Sequence, residues 1–247
     1  MNSSTLISHS LQGQHFGYSA ADMEDLGASE YTLVTIVVDK SGSVSGFRNE
    51  LENCIKEVVK ACKFSPRSDY LMIRIVLFDD DLKELHGFKQ LIDCNVDDYN
   101  GCVSPSGTTL LFETARNAIV ATNDYAKKLA QNDYETNAIV IVLTDGMDNM
   151  SSSSCQGEEV GQALKDAMKD EALESILSIL VGVGVGTHSD VSQYLDTFRN
   201  DAGIDQYVEI ADANAKTLAK LAAFISKSVS SQSQSLGSGG CSQTLQF

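Results

Sequence analysis

Several common features are missing from this chain, and each absence narrows its function. It has no tryptophan, no Cys-x-x-Cys pair and no run of about 18 apolar residues, so no transmembrane helix is expected. The N-terminus, Met1-Asn2-Ser3-Ser4-Thr5, carries neither a basic region nor a long apolar one, and a secretory signal is not expected either. Six cysteines (Cys54, Cys62, Cys94, Cys102, Cys155 and Cys241) are scattered without zinc spacing, and a chain of 247 residues is large enough to fold without stapling. Together these features make a reducing cytoplasm the expected compartment. Positive charge is scarce: 18 Lys and Arg stand against 34 Asp and Glu, for a net charge of −16. Such a chain is repelled by phosphate backbones and by anionic lipid, which argues against nucleic acid and membrane as partners. Only four histidines are present, and His9 and His15 lie in a polar lead-in. His188 follows an expected strand and reads as a loop residue.

Hydrophobic residues make up 43% of the chain, enough for one well-buried domain. Residues 1–29 are polar and read as a partly ordered lead-in. From Tyr31 onward, apolar runs of strand length alternate with amphipathic runs of helix length. The expected strands are 31–39, 70–79, 137–144, 176–185 and 206–210. Several are almost wholly apolar, as strands of a parallel sheet covered on both faces should be. The expected helices are 50–59, 110–130, 157–170, 189–199 and 212–229. In the first, Leu51, Ile55, Val58 and Val59 recur at the helical period, and Cys54 and Cys62 read as small core residues. The alternation predicts an α/β, doubly wound (Rossmann-like), mostly parallel sheet with helices on both faces. Asp80–Leu85 is expected to open one antiparallel edge strand. Residues 30–229 thus form the domain, and 230–247, rich in Ser, Gln and Gly, read as a flexible tail.

Three oxygen-rich loops interrupt this pattern. Asp39-Lys40-Ser41-Gly42-Ser43 follows the first apolar strand, Ser106-Gly107-Thr108-Thr109 precedes a helix, and Thr144-Asp145-Gly146 ends a later strand. In doubly wound folds ligands bind at the carboxyl ends of the strands, so all three loops can converge on one rim. Carboxylates and hydroxyls are hard donors that suit Mg2+, with Mn2+ or Ca2+ as alternatives. Other chemistries fit less well. A haloacid-dehalogenase-type phosphatase needs a second Asp where Ser41 stands, and a hydrolase elbow needs glycine where Asp39 stands. No G-x-x-x-x-G-K-[ST] loop occurs, and Gly182-Val183-Gly184-Val185-Gly186 lacks the third glycine of a dinucleotide loop at its required place. Asp79-Asp80-Asp81 reads as a solvated turn rather than a calcium loop.

The ordered set D-x-S-G-S, S-G-T-T-L and L-T-D-G resembles the von Willebrand factor A domain family across residues 31–229. At a looser level it resembles the bacterial cytosolic TerY-like branch. The resemblance implies a metal-ion-dependent adhesion site formed by Asp39, Ser41, Ser43, Thr108 and Asp145, with Thr109 as the alternative threonine. It also implies a non-enzymatic module whose Mg2+ coordinates an Asp or Glu supplied by a protein partner. Val44, Ser45, Gly46, Met147, Asp148 and Asn149 flank that site and are expected to set specificity. Two other readings of the same loops are a Mg2+-dependent phosphohydrolase and a structural subunit with a vestigial metal site.

Overall fold

The computed structural model describes residues 5–187 and 189–247, so the reading of His188 lies outside the described residues. Among the described residues, eight strands form one sheet: β1 (Leu6–His9), β2 (Tyr18–Ala21), β3 (Glu30–Asp39), β4 (Leu71–Phe78), β5 (Leu82–Gln90), β6 (Glu135–Thr144), β7 (Ile176–Val183) and β8 (Gln206–Ile210). Their order across the sheet is β1-β2-β5-β4-β3-β6-β7-β8. The pairs β4–β3, β3–β6, β6–β7 and β7–β8 are parallel, whereas β4–β5 and β1–β2 are antiparallel. Among the described residues, five α-helices cover the sheet: α1 (Arg48–Lys63), α2 (Leu111–Ala130), α3 (Gly157–Lys169), α4 (Ser189–Ala202) and α5 (Ala215–Ser238).

The apolar strands work because alternate residues serve opposite layers. In β3, Leu33 and Val37 pack with α2, α3 and α4, while Val34, Ile36 and Val38 pack with α1 and α5. Each such side chain contributes about 1.5–3 kcal/mol by leaving water. The central strands therefore hold their carboxyl ends rigidly, which is where Asp39 and Asp145 sit. Cys54 and Cys62 are buried in α1, and burial pushes both thiols up to about 12.

The structure corrects the sequence reading at both ends. The lead-in supplies β1 and β2, and β2 pairs parallel with β5 through Ala20 and Phe88. A buried polar network holds it there. Glu84 accepts hydrogen bonds from Ser19 N (3.0 Å), Ser19 Oγ (2.6 Å) and the fully buried Arg74 Nε (2.7 Å). Asn117 Nδ2 donates to Phe16 O at 2.8 Å. Gly87 permits this approach, because a Cβ at that position would lie 1.8 Å from Ser19 O. At the other end α5 continues past residue 229 to Ser238 and closes on Gly239 at φ 65°. The expected tail residue Gln232 is buried and donates to Ala138 O and to Ser175 Oγ, both at 3.0 Å, while Asn137 Nδ2 donates to Gln232 O at 2.6 Å. Within the expected tail, residues 239–247 lack regular secondary structure.

Candidate metal centre

Asp39 ends the central strand β3 and is 1% exposed. Its Oδ1 accepts from Ser41 N at 2.8 Å, and its Oδ2 accepts from Thr144 Oγ1 at 2.7 Å. The neighbouring Lys40 does not neutralise it. Lys40 Nζ is paired instead with Asp79. Burial pushes the Asp39 carboxyl up to about 6, despite hydrogen bonds from Thr144 and Ser41 that pull it down; the charge of Asp145 adds to the rise. A buried carboxylate held by two donors and influenced by no cationic side chain is an attractive place for a metal ion.

The other donors line up beside it. Ser41 Oγ lies 3.0 Å from Ser43 Oγ, and Ser43 Oγ donates to Asp145 Oδ1 at 2.8 Å. In an octahedral Mg2+ shell with bonds of about 2.0–2.1 Å, adjacent oxygens are about 2.9 Å apart. The spacing among Ser41, Ser43 and Asp145 therefore matches the edges of such a shell. All these donors are hard oxygens, so the residues present fit a hard divalent cation. Among the described residues no three His, Cys, Asp or Glu side chains group as metal ligands. A cation here depends on mixed carboxylate and hydroxyl ligation.

The Ser106–Thr109 loop is tied to the Asp39 loop by the backbone: Gly42 N donates to Gly107 O at 3.3 Å and Ser106 N donates to Lys40 O at 3.0 Å. Gly107 adopts φ 64°, and a Cβ there would meet Asp80 Oδ1 at 2.3 Å, so this turn requires glycine. The two threonines of this loop part company. Thr108 is exposed, whereas Thr109 is buried against the Asp145 loop. Thr109 N donates to Asn149 Oδ1 at 2.8 Å, and Asn149 N donates to Thr109 O at 3.1 Å. A Cβ built on Gly146 would lie 3.8 Å from Thr109 Oγ1. Thr109 thus packs against the Asp145 loop, while Thr108 faces solvent as Ser43 does.

Sequence reasoning missed three supports. Thr144 orients the Asp39 carboxylate, although it stood inside the L-T-D-G motif. Asp148 reads from sequence as a specificity residue, yet it also caps α2, its Oδ2 accepting from Phe112 N at 3.0 Å and from Ser151 Oγ at 2.5 Å. Asp79, expected in a solvated turn, is buried. Burial raises its pKa, but Lys40 and the Ser106 hydroxyl (2.6 Å) outweigh that and hold the carboxyl below its ordinary value. Leu110 N donates to Asp79 O at 2.8 Å, so this residue fastens two of the three loops. In Gly182–Gly186 the outer two glycines serve packing, since a Cβ on Gly186 would lie 2.4 Å from that of Ala211, while Gly184 adopts φ 73°. His86 is buried between Gly87 O and Tyr99 Oη (2.9 and 2.8 Å).

Residues 34–224 match the model of the von Willebrand factor type A domain, and the chain belongs to that family. Among solved structures it is similar to the PilB minor pilin of Streptococcus sanguinis, with 15% identity and a TM-score of 0.57 over 87% of this chain and 64% of that one. It is also similar to the pilus adhesin SpaC of Lactobacillus rhamnosus GG, with 12% identity and a TM-score of 0.57 over 82% of this chain and 31% of that one. A third similar structure is proximal thread matrix protein 1 of the mussel byssus with its MIDAS motif occupied by zinc; identity is 18% and the TM-score 0.52, over 82% of this chain and 46% of that one. The chain spans less than two thirds of the length of each of these proteins. Likenesses at such identity show the shared fold. No curated protein sequence matches the chain.

Proposed function

We propose that this protein is a metal-dependent protein-binding module. Asp39, Ser41, Ser43, Thr109 and Asp145 hold a divalent cation, Mg2+ in the first instance and Mn2+ or Ca2+ as alternatives. The cation in turn accepts an Asp or Glu carboxylate from a protein partner. The observation that carries this reading is the run of oxygens from Ser41 through Ser43 to Asp145 at octahedral spacing, set beside the uncompensated carboxylate of Asp39. A bound ion reverses the local field, so an acidic chain attracts an acidic ligand at this one point. Val44 is buried, whereas Ser45, Gly46, Met147 and Asn149 stand exposed around the rim and are suited to reading the partner.

The reading is non-enzymatic. It is supported by the hydroxyl partners of Ser41 and Ser43, which are each other and Asp145 rather than an imidazole base. The cytoplasm is the proposed compartment, a reading supported by the free state of all six cysteines. No helix among the described residues is long and apolar enough to cross a membrane. The test is affinity capture from the native lysate with wild type and Asp39→Ala, each in Mg2+ and in EDTA. A partner retained only by wild type in Mg2+ is expected. Equal retention under every condition would remove the metal from the mechanism.

A further inference from the structure

Away from the metal rim, a cleft of about 210 Å3 opens where three segments meet. One wall is the lead-in, Gly13–Phe16; the second is the first turns of α2, with Glu113 and Arg116; the third is the loop after β6, with Ser152, Ser154 and Cys155. At about 30 Å3 per water, the space holds about seven waters, or a small organic molecule.

The chemistry of the lining is uneven. Among the described residues Arg116 has no ion-pair partner and is half-buried; its charge pulls the Cys155 thiol down against burial and against the charges of Glu113, Glu159 and Asp148. The carboxylate of Glu113 shares this wall, its Oε1 accepting from Ser152 N at 3.0 Å. Ser152 and Ser154 hydroxyls lie 3.0 Å apart and have donor capacity to spare. The Gln14 carboxamide and the His15 imidazole complete the polar face, with the Phe16 ring beside His15. A guanidinium flanked by hydroxyl and amide donors is the arrangement that receives a planar or tetrahedral oxyanion through charge-assisted hydrogen bonds.

We propose that this cleft binds a small molecule bearing a carboxylate or phosphate group, with Arg116 as its anchor and Ser152, Ser154 and Gln14 as supporting donors. The site is independent of the metal reading. The experiment uses the full chain in EDTA, titrated separately with inorganic phosphate and with succinate and followed by amide chemical shifts. Sodium chloride at matched ionic strength is the control. Saturable shifts centred on Glu113, Ser152 and Ser154 are expected. Binding at least about ten-fold weaker in Arg116→Gln is expected, since loss of one charge-assisted pair is worth about that factor. Asp39→Ala should bind the same anion unchanged, which separates this site from the metal centre. The arm that saturates identifies the oxyanion. Shifts that chloride reproduces, that lie elsewhere, or that persist in Arg116→Gln would overturn the proposal. The wild-type shift map decides the matter even if Arg116→Gln fails to fold.

Discussion

Replacing Asp39 by Asn should stabilise the metal-free protein at neutral pH while abolishing its response to metal. The reasoning starts from the buried carboxylate, whose pKa rises from an ordinary 3.8 to about 6 mainly through desolvation. A raised carboxyl binds its proton more tightly in the folded state, so its contribution is fully favourable below pH 3.8 and is lost as pH climbs through about 6. At pH 7.5 the charged group then costs about 3 kcal/mol, at 1.36 kcal/mol per pH unit of displacement. Asparagine removes the charge and keeps the shape. Its Oδ1 can still accept from Ser41 N, and its Nδ2 can donate to Thr144 Oγ1, whose proton turns to Gly146 O, 3.3 Å away. For a chain of this size, about 3 kcal/mol corresponds to a rise in Tm of about 6 °C. Thermal unfolding in EDTA at pH 7.5 should show that rise, and it should vanish at pH 4. Saturating Mg2+ should raise the wild-type Tm and leave Asp39→Asn unchanged. If Asp39→Asn melts below wild type in EDTA at pH 7.5, the carboxylate is not an uncompensated burial and the reasoning fails.

The two threonines separate cleanly. Thr109→Ala should weaken Mn2+ binding by at least about ten-fold, as loss of one oxygen ligand from a small site implies, whereas Thr108→Ala should leave it within about two-fold; the opposite ranking in a calorimetric titration would restore Thr108 to the site. Glu84→Ala should leave the buried Arg74 without its carboxylate and cost about 3 kcal/mol. Hydrogen exchange should then show β1 and β2 losing protection before β3 and β6, and uniform loss would mean that the lead-in is not held as a separate unit.

The parts legible from sequence were those where one physical demand dominates. The apolar runs of β3 and β6 are buried on both faces, and such strands leave an unmistakable signature. β8 runs over 206–210 as expected. The oxygen-rich loops were legible because hard-cation chemistry asks for those residue types after those strands. The lead-in was not, because β1 and β2 have four residues each, so period-two alternation had little room to register. The signal lay instead in Arg74, a charge in the middle of a buried strand that demanded a partner. The last turns of α5 read as low complexity, yet their Ser and Gln side chains satisfy polar atoms of β6 and of the loop before β7. Thr108 and Thr109 differ only in which one the turn at Gly107 directs inward, and one-dimensional spacing cannot distinguish them.

The central claim is a divalent cation held at the rim by Asp39 and Asp145. It is tested most directly by adding Mn2+ to the 15N-labelled protein and mapping paramagnetic broadening, which registers even weak occupancy. Broadening confined to Ser41–Val44, Gly107–Thr109 and Asp145–Met147, competed by Mg2+ and absent from Asp39→Asn, is the predicted result. Broadening spread over the acidic surface, or equal in Asp39→Asn, would contradict the account.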